Sequence, residues 1–169
     1  MKEAQIKLLK YDPNWINLFK LEKNSLYPII KDYLAGSIEH VGSTAIPGML
    51  AKPTIDIMVG VKSLENSKPL TSLLSKQGYC YFPYKPEVMH WFCKPSPLFR
   101  VYHLHLVPYQ SQLWFQRLLF RDYLIQYKKV ALEYADLKIK LANKYQYDRE
   151  AYTQHKSVFI KNILENASC

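Results

Sequence analysis

The sequence predicts an α+β fold: a mixed β-sheet with flanking helices and a C-terminal helical segment, in a single domain spanning residues 1–169. Three observations carry this expectation. Before residue 110, short β-prone runs alternate with amphipathic helical stretches, which builds a sheet with helices laid against it. After Leu113 only helical spacing remains. The 169 residues are enough for one well-filled core and too few for two ordinary domains.

Taken in order, residues 4–10 alternate weakly and predict a first edge strand. Asp12-Pro13 is a helix start, because aspartate caps and proline is preset for the first helical position. Trp15, Leu18, Phe19, Glu22 and Leu26 keep helical spacing to about Lys31, and Asp32–Gly36 turns the chain into a strand from Ile38 to Val41. A second strand, Thr54–Val61, points Ile55, Ile57 and Val59 one way and Asp56, Met58 and Gly60 the other. Leu64–Gln77 reads as a helix with Leu70, Leu73 and Leu74 inward, obstructed at Pro69 and stopped at Gly78. Tyr79–Phe82 and Val88–Cys93 read as strands around the Pro83/Pro86 turn, and Arg100–Val107 as a strand that Pro108 ends. The closing helices carry Trp114, Leu118, Tyr123, Tyr127, Tyr134 and Leu141, with a bend near Lys128–Ala131. Asp148 caps a last helix whose stripe is Tyr152, Phe159, Ile160, Ile163 and Leu164.

Composition narrows the function classes. With 49% apolar and 22% charged residues, a globular domain is expected. No window approaches the roughly 18 uncharged apolar residues that a membrane helix needs, and the N-terminus lacks the apolar core of a signal peptide. Membrane partners are therefore not expected. Cys80, Cys93 and Cys169 are odd in number and lack metal-ligand spacing, which suits a reduced, cytoplasmic chain. The net charge of +9 fits a nucleotide or nucleic-acid partner and equally a solvated lysine-rich surface.

The stretch 38–61 concentrates the chemistry. A strand that breaks at Gly42-Ser43-Thr44 leaves backbone N–H groups pointing out of the turn, and such groups suit a phosphate. Lys52 can add a phosphate contact; a lysine before proline is also commonly just solvated. Asp56 interrupts an apolar strand, where a carboxylate must be paired, hydrogen-bonded or metal-bound. An ion pair with Arg100 is the structural alternative. His103 and His105, two apart on a strand, face one side. With the strands 38–41, 54–61 and 101–107 in one sheet, that side is expected to carry Asp56 as well. Two imidazoles and a carboxylate form a mixed nitrogen and oxygen donor set suited to Mn²⁺, Zn²⁺ or Fe²⁺; a hydrogen-bonded polar groove is the alternative. Glu39 and His40 point to opposite faces, so one of them touches the site. Arg121-Asp122 fits either a phosphate contact or an ion pair between helix and sheet.

The segments Glu39-His40-Val41-Gly42-Ser43-Thr44-Ala45 and Lys52-Pro53-Thr54-Ile55-Asp56-Ile57 resemble the GrpB family, a branch of the nucleotidyltransferase superfamily. The likeness continues in His103-Leu104-His105, in Phe120-Arg121-Asp122-Tyr123-Leu124, and in Tyr152, Lys156, Phe159 and Ile160. It implies a nucleotidyltransferase-like sheet and a transferase that binds a nucleoside triphosphate and a divalent metal (Mg, Mn or Zn). The acceptor is not indicated and is expected to be RNA or a small molecule. Catalytic and metal-binding roles fall on Asp56, His103 and His105, the histidines standing where the superfamily places a third carboxylate. Nucleotide-binding roles fall on Gly42, Ser43, Thr44 and Lys52. The chain departs from the superfamily's Asp-x-Asp at Met58, whose thioether cannot serve a hard cation, so a softer ion than Mg²⁺ is expected. The same departure leaves open a catalytically inactive nucleotide- or RNA-binding protein on the same fold.

Overall fold

The protein is described from a computed structural model covering residues 5–167. Asp12 starts the first helix as expected: its Oδ1 accepts the Asn14 N–H at 2.9 Å, and α1 runs Asn14–Ile30 with Trp15, Glu22, Leu26 and Ile30 buried. A short 3₁₀ turn then leads into β1 (Leu34–Val41). That strand begins four residues earlier than expected, because Gly36 marks a close approach and not a turn. A Cβ on Gly36 would lie 2.2 Å from the ring of Tyr109, and the register shifts between Leu34 and Ile38.

Strands β2 (Ile55–Val61), β3 (Cys80–Phe82), β4 (His90–Pro95) and β5 (Arg100–Pro108) complete a five-stranded sheet in the order β1-β2-β5-β4-β3. The β2–β5 pair is parallel and the other three are antiparallel. The sheet is mixed and the class α+β, as the sequence predicts. Pro69 splits the expected 64–77 helix into α2 (Leu64–Ser67) and α3 (Leu70–Ser75). Ser63 caps α2 by accepting the Asn66 N–H at 3.0 Å. The closing helices are α4 (Gln112–Gln126), α5 (Lys128–Lys144) and α6 (Arg149–Ala167), with the break at Tyr127 and Asp148 accepting the Ala151 N–H at 2.9 Å.

The predicted edge strand at 4–10 does not form over its described residues. The segment makes one antiparallel bridge, Leu9 with Ala51, and Ile6 donates to the Gln146 carbonyl at 2.8 Å. Its alternation reflects two anchor points, not a ladder. Cys169 lies outside the described residues. Among those residues no helix is long and apolar enough to cross a membrane.

Two apolar layers sandwich the sheet. On one face Ile38, Ile55, Ile57, Val59, Phe92, Leu104 and Leu106 pack against Trp15, Leu26 and Ile30 of α1 and Leu70 and Leu74 of α3. Glu22 is tied down within this layer, accepting from the Tyr79 hydroxyl and from Lys94 Nζ, each at 2.8 Å. On the other face Val41, Met58, Met89 and Val107 pack against Trp114 of α4. Further along, Ile46 and Met49 pack with Leu124, Tyr134 and Ala135. Strand β2 is therefore covered on both sides, and a polar side chain on it has a constrained environment. Ile57→Ala, at a fully buried central position, should cost about 2–5 kcal/mol; urea denaturation should show a lower midpoint at unchanged slope.

Candidate functional site

The parallel register of β2 and β5 sets Asp56 beside His103 and Met58 beside His105. All three polar side chains rise from the face that carries α4, as the period-two phase predicts. Asp56 Oδ1 lies 3.0 Å from His103 Nδ1 and 3.4 Å from His105 Nε2. The side chains keep 27%, 18% and 6% of their exposure respectively, so the carboxylate stays partly open to solvent while His105 is buried. Burial pushes the Asp56 carboxyl up, but hydrogen bonds and charge from the two histidines outweigh it and hold the group well below the usual range. Burial, with Arg117 adding to it, pushes His105 down to about 3. Its ring is neutral at physiological pH.

The donor set fits a divalent ion. One donor atom from each of Asp56, His103 and His105 lies within 4.8 Å of the others. Two ligands each about 2.1 Å from an ion are about 3.0 Å apart at a right angle and about 3.4 Å apart at the tetrahedral angle, the separations of the carboxylate from the two imidazole nitrogens. The rings are unbraced, however. His103 Nε2 and His105 Nδ1 are buried without a hydrogen-bond partner, whereas ligating imidazoles usually donate their far N–H to an oxygen. An ion held through the near nitrogens would leave the ring protons on the far ones, which have no acceptor among the described residues.

The Gly42 turn abuts the trio. Gly42 adopts φ 73°, ψ −173°, a region essentially confined to glycine, and a Cβ there would lie 2.5 Å from Asp56 Oδ2. Ser43–Ala45 follows as a 3₁₀ turn. Ser43 Oγ accepts from Lys138 Nζ at 3.0 Å, and the same ammonium donates to the Leu50 carbonyl. Thr44 is turned inward: its hydroxyl donates to the Thr54 carbonyl at 3.3 Å and lies 3.0 Å from His40 Nε2. What Thr44 offers at the turn is backbone. The Lys52 ammonium sits 5.1 Å from the centre of the Tyr152 ring and that of Lys156 4.3 Å from it.

Around this centre the remaining polar residues divide. Glu39 points to the α4 side, where Arg121 donates to it at 2.7 Å and to the His40 carbonyl at 3.0 Å, so Arg121 serves the ion pair between helix and sheet. His40 points to the α1 side, stacked on Phe19 with ring centres 4.8 Å apart. Arg100 donates to the Pro97 carbonyl at 2.8 Å and covers the Trp91 ring, leaving the histidines as Asp56's partners. Met58 is fully buried among Val41, Met89, Val107 and Trp114. A carboxylate at that position would have an apolar wall around it.

Two further residues belong to the site without standing out in the sequence, although a signal exists for both. Lys138 lies on the buried stripe of α5, in helical phase with Tyr134, Leu141 and Ala142; a lysine on an apolar stripe is an anomaly, since lysine is almost never fully buried without a partner. Arg117 follows Trp114 by three residues on α4, contacts Met89 Sδ at 3.8 Å, and feels the Asp56 charge. Gly42→Ala should cost about 1–3 kcal/mol through backbone strain and push Asp56 off His103. Urea denaturation and the imidazole resonances of His103 would register both effects.

Comparison with known proteins supplies a family. The model described as "GrpB protein" matches residues 5–166. The chain is similar to the glutamate-rich protein GrpB of Alkalihalophilus pseudofirmus, at 37% identity over 169 residues that cover 97% of both chains. A UPF0157 protein of Pseudomonas aeruginosa is 36% identical over 170 residues, covering 98% of this chain and 69% of the relative. The crystal structure of the conserved protein GrpB from Enterococcus faecalis superposes with a TM-score of 0.87 at 31% identity, covering 95% of this chain and 96% of that one.

Proposed function

The chain belongs to the GrpB family, and on that premise we propose that it is a nucleotidyltransferase that binds a nucleoside triphosphate and one divalent ion, with RNA or a small molecule as acceptor. The observation that carries this reading is the adjacency of two half-sites. The Asp56–His103–His105 donor set lies directly against the Gly42-Ser43 turn, with Gly42 within van der Waals reach of the carboxylate. An ion bound by the trio would neutralise charge on a phosphoryl group seated at the turn. The chain's own contributions are distinct from that. Asp56 stays ionised and is oriented by both imidazoles, Ser43 presents a hydroxyl held by Lys138, and the half-buried Lys156, which shares the Tyr152 ring with Lys52, feels the Asp56 charge.

Met58 supports a single-ion site. The superfamily position for a second carboxylate is filled by a fully buried thioether, so the hard, carboxylate-rich environment favoured by Mg²⁺ is missing. The same observation favours a second reading, a nucleotide- or RNA-binding protein on this fold without catalysis.

Calorimetric titration with Mn²⁺, Zn²⁺ and Mg²⁺, with and without a non-hydrolysable ATP analogue, should show Mn²⁺ or Zn²⁺ bound at least tenfold more tightly than Mg²⁺. Asp56→Asn should abolish that uptake. Release of labelled pyrophosphate from γ-labelled nucleoside triphosphates, in the presence of Mn²⁺ and of RNA or a small-molecule acceptor, should distinguish the enzyme from the binding protein. If the wild-type chain takes up no ion even with nucleotide present, the metal-dependent enzyme is ruled out and the second reading stands.

A further inference from the structure

Cys80 and Cys93 face each other across the outer pair of the sheet. β3 is an edge strand, and in the antiparallel β3–β4 ladder the two residues are direct partners. Directly opposed residues in such a ladder share a face and hold their Cα atoms about 4.5–5.5 Å apart, within the range of about 4.4–6.8 Å that a disulfide spans. Both thiols are free. Cys93 is fully buried, whereas Cys80 is half-exposed and donates to the Pro95 carbonyl at 3.9 Å. The pair extends a row already described. Cys93 is the register partner of His103 on β5, and His103 that of Asp56 on β2. Two residues along the same ladder, Phe82 meets Trp91 with ring centres 5.7 Å apart, and Trp91 meets His103 at 5.0 Å. β3 and β4 therefore flank the imidazole through both thiols and rings.

We propose that Cys80 and Cys93 are a reversible redox couple, closing to a cross-strand disulfide by exchange with a low-molecular-weight disulfide and so fixing β3 against β4 beside His103. The couple does not depend on the nucleotide reading. Exposure assigns the two roles. Cys80, the accessible one, attacks a sulfur of the small disulfide as thiolate; that S–S bond breaks, one small thiolate leaves, and a mixed disulfide stands on Cys80. Cys93 then gives its proton to solvent and attacks the Cys80 sulfur, and the second small thiolate leaves. Two protein thiols are oxidised, and one small disulfide is reduced to two thiols. Burial pushes the Cys93 thiol up, with Arg100 and Arg149 opposing and Cys80 adding, which suits Cys93 to the resolving step and not to the first attack. Closure draws the strands together, because opposed Cβ atoms stand about 4.5–5.5 Å apart in a ladder and about 3.5–4.5 Å apart in a disulfide. An edge strand of 3 residues can yield that distance, at a strain that leaves the bond reducible.

The experiment treats the full chain with glutathione disulfide and then with excess glutathione, and follows peptide masses, amide exchange and histidine resonances. Lys85 and Lys94 each precede proline, where trypsin does not cut, so both cysteines leave on one peptide, 77–100, separate from Cys169. That peptide should lose two hydrogens on oxidation and regain them in excess glutathione. In the closed form the β3 amides should exchange about tenfold more slowly, since the edge strand no longer opens alone, and the imidazole resonances of His103 should shift. Cys93→Ala should stop at one glutathione on Cys80, whereas Cys80→Ser should carry none on this peptide. Circular dichroism checks that each variant is folded, and Cys80→Ser, at a half-exposed position, keeps the test alive if Cys93→Ala is not. A mixed disulfide that persists in the wild-type chain, an unreactive Cys80, closure that excess glutathione does not reverse, or closure that leaves β3 exchange and His103 unmoved would overturn the proposal.

Discussion

The site depends on a carboxylate that the sheet must keep ionised. Asp56 stands on a strand covered by apolar layers on both sides, where an unpartnered charge would be costly. The parallel pairing of β2 with β5 is what supplies its donors, because it sets His103 alongside and His105 two residues on. A one-residue slip of β5 would turn both imidazoles to the α1 face, bring leucines such as Leu104 and Leu106 to the α4 face in their place, and strip Asp56 of its donors. Register, hydrogen bonding and protonation are thus one constraint. His105 remains neutral because it is buried, and it is buried because α4 closes over the same face through Trp114.

Much of this is legible in the sequence, and the reasons are physical. Period-two alternation on Thr54–Val61 and Arg100–Val107 determines which side chains share a face, and the Gly42-Ser43 break sits where the strand ends. Capping residues are also legible, since Asp12 and Asp148 act locally. The misreadings come from residues whose role is tertiary. Gly36 reads as a turn because glycine usually is one; only Tyr109, more than seventy residues away, shows that the missing Cβ makes room for a ring. Residues 5–10 alternate without pairing, because the partners they find are the Ala51 loop and the Gln146 carbonyl. Lys138 hides among many lysines, and composition gives little reason to ask which of them faces inward.

The distribution of charge matters more than its sum. A net charge of +9 fits many surfaces, but two lysines stand apart: burial, then neighbouring lysines, push Lys138 and Lys156 each down to about 7. Linkage makes this a stability matter. A lysine whose folded pKa is lowered binds fewer protons than in the unfolded chain between about pH 7 and the ordinary lysine range near pH 10. Its unfavourable contribution is therefore largest at low pH and fades as pH rises through that window. Glu39 with Arg121, and Glu22 with Lys94 and Tyr79, show the opposite arrangement, in which charge is matched across elements and ties helices to the sheet.

Trp91 gives the molecule a built-in optical reporter. Its ring centre lies 5.0 Å from that of His103 and 6.5 Å from that of His105, and it is the half-exposed one among three tryptophans. Trp15 and Trp114 are 3% exposed and packed against Tyr11 and Tyr109, whereas Trp91 is the one partly open to solvent. A positive charge arriving on an imidazole acts on the neighbouring indole through the same ring electrostatics that draw Arg100 to it. Occupancy of the Asp56–His103–His105 site can then be followed by intrinsic fluorescence, without label or substrate, in the unmodified chain.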